Sequence, residues 1–353
     1  MNGRANERIA VVLFNLGGPD RPESVKPFLF NLFNDPAIIS LPNPFRWVLA
    51  KLISSRRERT AQAIYAEIGG RSPLREITET QAEALQAALG ELGDVGVFVA
   101  MRYWHPRAAE MVARVKAFAP DRIVLLPLYP QYSTTTTGSS LLEWHYEAAK
   151  AGLTVATSGI CCYPVEPDFI AGHVDALSAM LREAGDGPVR VLFSAHGLPK
   201  KVIAGGDPYQ WQVEETAAAV VRGLDREGLD WKVCYQSRVG PLEWIGPSTD
   251  DEIRRAGESG TSLVIVPIAF VSEHSETLVE LDIEYRELAR KSGVPGYFRV
   301  PALNASETYV SALAGLVRRS LAGPAGIASQ DGVRRCPADH GQCPLQAVSG
   351  ALR

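Results

Sequence analysis

The sequence predicts an α/β protein built from two parallel sheets covered by helices. Three observations carry this. Eight short apolar runs rich in Val, Ile, Leu and Phe each end in turn residues, most are separated by segments with helical spacing and charged faces, and one strand–corner–helix pattern occurs twice. The runs are Ile9–Leu16, Val95–Met101, Arg122–Leu128, Thr154–Cys161, Val189–Ser194, Trp231–Gln236, Ser262–Phe270 and Tyr297–Leu303. The helical segments include Thr78–Leu92, Ala108–Phe118, Asp168–Glu183 and Val213–Glu227. Continuously apolar strands are what a sheet buried on both faces requires. Eight strands divide as four and four, with a break near Pro164–Asp168. The repeated pattern is IVLLPLYPQYSTTTTGSSLLEWHY and LVIVPIAFVSEHSETLVELDIEY, in which the strand proline stands fifteen residues ahead of its partner near the helix middle (Pro127 to Leu142, Pro267 to Asp282). The blander account is that any two strand–helix units are alike to that extent.

A chain of 353 residues is long enough for two full cores. Apolar content of 46% and charged content of 22% are ordinary for a globular protein, and a net charge of −4 without a long basic run gives no reason to expect nucleic acid. The opening MNGRANERIAVVLFNL lacks the order of a signal peptide, and no stretch reaches the roughly 18 apolar residues of a membrane span. Five cysteines in a chain of this size do not read as a secreted disulfide framework. The expected location is the cytoplasm.

Between Arg21 and Ile77 the strand–helix alternation fails. PFRWVLAKLISSRRERT sets Phe45, Val48, Leu49, Leu52 and Ile53 beside Arg46, Lys51, Arg56, Arg57 and Arg59, the composition of a helix lying on a membrane interface or of an insertion packed on its own domain. The last helix is expected at Glu307–Leu321, and Ala322–Arg353, rich in Gly and Pro, reads as a tail.

Ligands of open parallel sheets bind at the carboxyl ends of strands. Just beyond the strand ends stand Gly17-Gly18-Pro19; Arg102-Tyr103-Trp104-His105-Pro106; Tyr129-Pro130-Gln131-Tyr132-Ser133; His196-Gly197; Ser237-Arg238 with Trp244; and His274 with Glu276. Three of the six histidines fall at these mouths, which points to a cleft. Neither GxGxxG, GxxxxGK[ST] nor GxSxG occurs, so nucleotide binding and serine hydrolysis are not favoured. Glu276, Glu280 and Glu284 recur every fourth residue on a predicted helix. A solvated helix face is the plain reading, and Arg286 is an i,i+4 partner for Asp282. Against it, Leu278, Val279, Leu281 and Ile283 make the helix apolar enough to pack, and three like charges in line need a cation or protons to relieve them. Imidazole and carboxylate together suit Fe²⁺ or another first-row metal.

FNLGGPD, IGGRSPL, RYWHP, YPQYSTTTTGSS, FSAHGLP, YQSRVGP with the tryptophan beyond it, and PIAFVSEHSETLVELDIEY, in order from about residue 9 to 310, resemble the motifs of the ferrochelatase family, whose members insert Fe²⁺ into a porphyrin in haem synthesis. The resemblance implies two Rossmann-like domains, each a four-stranded sheet flanked by helices, with the tetrapyrrole in the cleft between them. The expected division is 1–163 for the first domain with a pocket lip at about 21–77, 164–304 for the second, 305–321 for a helix packing back across them, and 322–353 for the tail. By resemblance, His196 and Glu276 stand on opposite sides of the macrocycle as proton acceptor and metal ligand, with their order of use open, and His274 supports Glu276. Glu280 and Glu284 form a metal delivery path behind it. Leu16, Tyr65, Arg102, Tyr103, Tyr129, Ser133 and Trp244 line the pocket, where rings pack on the macrocycle and Arg pairs with a propionate. An aliphatic Leu16, where coproporphyrin-using relatives carry Tyr, favours protoporphyrin IX. Residues 44–53 are the expected membrane contact, and a second copy of the chain is a further expected partner.

Some family members hold a [2Fe–2S] cluster through one cysteine in the body and three in the tail. Here the body position is Thr134 and the tail offers Cys336 and Cys343. Cys161 and Cys162 complete four thiolates. The competing accounts are ordinary small apolar residues and a zinc site using His340; Cys234 reads as core. Alternatives to the main function are a coproporphyrin ferrochelatase, a Co²⁺ or Ni²⁺ tetrapyrrole chelatase, and a porphyrin carrier without chemistry.

Overall fold

The computed structural model describes residues 7–345 except Val239 and Pro241, so those two positions of the YQSRVGP motif and the end of the tail lie outside the described residues. The chain forms two compact units. One comprises the chain up to Cys162 with Leu313–Val333, the other Tyr163–Ala312 with the chain from Arg334.

The first unit holds strands β1 (Arg8–Asn15), β2 (Asp94–Met101), β3 (Arg122–Pro127) and β4 (Ala156–Ile160), and the second β5 (Val189–His196), β6 (Asp230–Gln236), β7 (Ser262–Pro267) and β8 (Tyr297–Arg299). All eight predicted strands are present. The tail adds a ninth, β9 (Gly326–Ala328), which pairs in parallel with β4, so the first sheet has five strands rather than four. The sheet orders are β2-β1-β3-β4-β9 and β6-β5-β7-β8, and every pairing is parallel. Val11, Val12 and Leu13 on β1, and Leu192, Phe193, Ile265 and Val266 on the centre of the second sheet, are fully buried, because helices cover both faces.

The first four strands of each sheet share one winding, in which the chain leaves the first strand on one side and returns on the other. The direction therefore reverses between β1 and β3 and again between β5 and β7, and a crevice opens at the carboxyl ends of such a pair. The internal repeat has a structural counterpart. Pro127 pairs with Phe14 and Pro267 with Ser194, each proline ending its strand. Beyond each comes a π-helical stretch, Thr134–Gly138 and Glu276–Glu284. The sequence pattern predicts regular α-helices there; π winding, with i→i+5 hydrogen bonds, is rare and concentrates at functional sites.

The helix Phe45–Ala66 buries only Ala50, Ser54 and Tyr65. Phe45, Trp47, Val48 and Leu52 are exposed, at 67, 45, 57 and 46%. No described helix is long and apolar enough to cross a membrane.

On the helix Pro167–Ala184, capped by Glu166 accepting from the Phe169 N–H, His173 is buried against the Phe169 ring. Neither ring nitrogen has a hydrogen-bond partner among the described residues. Burial penalises its charged form and pushes it from 6.5 down to about 4. The unfolded chain takes up the proton first as pH falls, so stability is intact above about 6.5 and drains away toward about 4. A shift of this size corresponds to about 3 kcal/mol. Denaturant unfolding of His173→Phe between these pH values should lose that part of the wild-type slope, and an unchanged slope would show that His173 is not its source.

Candidate active site in the second unit

β5 ends at His196, opposite Gln236 of β6. Gly197 then lets the chain press on the neighbouring strand. Its N–H donates to the Gln236 carbonyl at 2.9 Å, and a Cβ there would meet that same oxygen at 2.9 Å and the Trp244 ring at 3.5 Å. Pairing of Leu198–Lys200 with Glu243–Ile245 holds Trp244 over this corner.

From the neighbouring mouth, after β7, comes the segment carrying His274 and Glu276. His196 Nδ1 lies 2.8 Å from Glu276 Oε2, so the two residues that flank the switch point share one wall. The expectation that they stand on opposite sides of a macrocycle is corrected, because groups in direct contact leave no room for one between them. Their side chains are 39 and 25% exposed, open enough to be reached. Burial opposes the charge on both. For His196 the Glu276 carboxylate outweighs it and lifts the imidazolium above its usual range. For Glu276 the His196 charge and hydrogen bond, with help from His274 and Ser237, hold the carboxyl well below its own. His274 is buried against Phe270, and burial lowers its pKa despite the carboxylates of Glu276 and Glu273. Its Nδ1 has no hydrogen-bond partner among the described residues, while its backbone is fixed by Thr277, whose hydroxyl accepts from the His274 N–H and donates to its carbonyl.

Glu280 is held by four donors: the Ser237 N–H at 2.8 Å, the Ser237 hydroxyl at 2.5 Å, Gln236 Nε2 at 3.0 Å and the Tyr285 hydroxyl at 3.2 Å. Burial and the Glu276 charge raise its pKa, although Ser237 pulls the other way. It fastens the corner after β6, where Ser237 takes a left-handed conformation (φ 59°), to the π-helical turn. Glu284 is exposed. Asp282, expected to pair with Arg286, instead receives a two-pronged grip from Arg299 on β8, at 2.8 and 2.6 Å, with Arg286 at 3.7 Å.

Of the predicted pocket residues of the first unit, Leu16, Tyr129 and Ser133 follow β1 and β3 at its own switch point, Arg102 and Tyr103 follow β2, and Tyr65 lies on the helix Phe45–Ala66. Leu16 comes directly after β1 and packs with Tyr65 and Tyr103 on Val25, Phe28 and Leu29. After β3 come Tyr129 and Ser133, and Ser133 caps the π-helical turn by accepting from the Thr135 N–H. Arg102 has no free edge. Nε donates to Ser139 at 2.7 Å, Nη2 to Asp35 at 2.8 Å, and Nη1 faces Glu143 at 3.2 Å. The buried Asp35 also accepts from the Tyr103 and Ser139 hydroxyls. Asp35 is absent from the residues that sequence reasoning singles out; its signal is the Asp-Pro turn, in which Oδ1 accepts from the Ala37 N–H.

All five cysteines are free and buried. Cys161 and Cys162 lie 3.1 Å apart between sulfurs in the first unit. In the second, Cys336 accepts from Gln212 Nε2, and a hydrogen bond with Cys336, against burial, brings the Cys343 thiol down to about 6. An easily ionised, sheltered thiol such as that of Cys343 is chemically suited to a soft metal. Among the described residues no three His, Cys, Asp or Glu side chains gather as a preformed metal-binding group.

Two parallel sheets, each reversing its winding at a switch point, make up the fold, and one switch point carries a histidine–carboxylate pair. Two structures of SirB from Bacillus subtilis share the fold: one with Fe³⁺ (TM-score 0.51, 12% identity, covering 89% of this chain and 95% of that one), and the subspecies spizizenii sirohydrochlorin chelatase in complex with cobalt (TM-score 0.52, 10% identity, covering 90 and 97%). At such identity the likeness is one of fold. The chain belongs to the ferrochelatase family, whose model matches residues 8–321. It is 54% identical over 344 residues to the ferrochelatase of Phenylobacterium zucineum (95% of this chain, 97% of the relative). It is also 54% identical over 350 residues to that of Caulobacter vibrioides (98 and 99%) and 50% identical over 345 to that of Rickettsia bellii (96 and 95%). It is thus a metal chelatase of haem biosynthesis, with Fe²⁺ as a substrate.

In metal-free protein the carboxylate of Glu276 holds His196 above 6.5. Removing that charge in Glu276→Gln should lower the His196 titration observed by NMR; an unmoved titration would mean the contact is absent in solution.

Proposed function

We propose that the chain inserts Fe²⁺ into protoporphyrin IX at the wall formed by His196, His274 and Glu276, releasing two protons. The observation that carries this is the His196–Glu276 contact at the β5/β7 switch point. With Glu276 ionised and His196 in its neutral form, Nδ1–H of His196 donates to the carboxylate and Nε2 presents a lone pair away from it. That ring edge accepts a pyrrole proton as the macrocycle bends, and the raised pKa of His196 favours the transfer. Once His196 passes that proton to solvent, the same nitrogen accepts the second, and rotation of the ring frees Glu276 to offer oxygen to Fe²⁺. Each N–H lost is replaced by an N–Fe bond, so one Fe²⁺ enters and two protons leave. Glu280 and Glu284 continue the carboxylate line as the proposed delivery path, Glu284 at the exposed end and Glu280 also fastening the wall.

Trp244, over the His196 corner, belongs to the proposed wall of the second unit, and Tyr65, Tyr103, Tyr129 and Ser133 are the porphyrin contacts proposed for the first. Arg102, with its edges taken, contributes by holding Asp35, which in turn accepts from the Tyr103 hydroxyl. The apolar surroundings of Leu16 suit vinyl substituents, which supports protoporphyrin over coproporphyrin. Exposed Phe45, Trp47, Val48 and Leu52, with Lys51 over the Trp47 ring, support a membrane contact at residues 44–53.

Under anaerobic conditions with Fe²⁺ and protoporphyrin IX, His196→Ala and Glu276→Gln should each form haem at least about 100-fold more slowly than wild type, the scale of lost proton transfer and charge stabilisation. Wild-type rates in both would remove the site assignment.

We also propose a [2Fe–2S] cluster with Cys336 and Cys343 of the second unit among its thiolate ligands. Its support is the buried Cys336–Cys343 pair, in which the Cys343 thiol is easily ionised. Such a cluster would supply a redox-active, oxygen-sensitive tie for the tail. Protein purified anaerobically should carry about two irons per chain with visible absorption, both lost in Cys336→Ser; colourless, iron-free protein would end the idea.

A further inference from the structure

The π-helical turn carrying Glu276 is gripped at both ends by one side chain. Arg299, on β8 and only 10% exposed, donates from Nη1 to Glu273 Oε1 at 2.8 Å, and from Nε and Nη2 to the two oxygens of Asp282 at 2.8 and 2.6 Å. Glu273 precedes His274, and Asp282 lies inside the turn, so the grip spans His274, Glu276 and Glu280. The Glu273 end is tied further, since Oε1 also accepts from the Ala302 N–H at 2.9 Å and the Glu273 N–H donates to Asn304 Oδ1 at 3.1 Å. A π turn and an α turn of equal length place their last residue at different heights and rotations about the axis. A planar guanidinium engaging both carboxylates at once is therefore compatible with one winding, and relaxation toward α would carry Asp282 off the fork.

We propose that Arg299 is a positioning residue for metal insertion: its fork on Asp282 and Glu273 sets the π register of the turn and with it the approach of Glu276 to His196. Arg299 itself stays off the substrate. This rests on the proposed site, and the two are tested apart.

Lysine keeps the charge but cannot make the two-pronged contact. In Arg299→Lys, kcat for haem formation should fall roughly tenfold while KM for protoporphyrin IX stays unchanged, because the loss falls on the geometry of the reacting groups and not on porphyrin binding. Hydrogen exchange of the amides of 277–284 should accelerate while those of β5 and β7 keep wild-type protection. Asp282→Asn, which weakens the fork from the other side, should show the same pair of changes and serves if the lysine variant does not fold. Wild-type kcat in the folded variants, a loss confined to KM, or a fall in kcat without selective exchange at 277–284 would each overturn the proposal. Should His196→Ala and Glu276→Gln retain full activity, the site reading fails. Should they lose activity while Arg299→Lys and Asp282→Asn do not, only the positioning role fails.

Discussion

The second unit depends on a hydrogen bond of 2.8 Å between His196 and Glu276. Neither residue is comfortable alone, since burial penalises the charged form of each and Glu280 adds a second carboxylate one turn away. Paired, they stabilise each other's charge at a place still reachable from outside. The surrounding polar groups are arranged to suit that pair. Ser237 and Gln236 hold Glu280, Thr277 fixes the backbone of His274, and Arg299 balances Glu273 and Asp282. A carboxylate-rich segment is thereby tied into one conformation by donors from four neighbouring side chains and a backbone N–H.

The sheets explain why this pair forms where it does. In each unit the winding reverses between the first and third strands, and the two mouths beside that reversal are the ones not blocked by a crossover. In the second unit they supply a base and a carboxylate. In the first they supply Leu16 and the Tyr129–Ser133 corner, with hydroxyls where the second has acids. One scaffold used twice thus carries two chemistries, and the prolines that end β3 and β7, each with a π turn beyond it, are the visible trace of that common plan.

The strands, and the presence of His196 and Glu276 at the mouths of two of them, were legible because burial on two faces writes a continuous apolar run, and polar residues that interrupt its end stand out. The direct contact of the two was not, since the resemblance set them on opposite sides of the macrocycle. What escaped depends on partners distant in sequence. Arg286 at i,i+4 is the natural partner of Asp282, yet Arg299, seventeen residues on, takes it through a strand brought alongside. The same holds for Arg102, which reads as a free cation until Asp35, sixty-seven residues earlier, is seen beside it. π winding leaves the same residue spacing as an α-helix and is invisible to periodicity. β9 is three residues of Gly-Ile-Ala, too short and glycine-rich to announce a strand.

The claim at the centre is that His196 and Glu276 together face the incoming metal. Anomalous diffraction from crystals soaked anaerobically with Fe²⁺ locates that metal directly. The account predicts a peak within coordinating distance of the Glu276 carboxylate, on the side toward His196, and its loss in Glu276→Gln. Iron bound elsewhere in catalytically competent crystals, with none at Glu276, would contradict it.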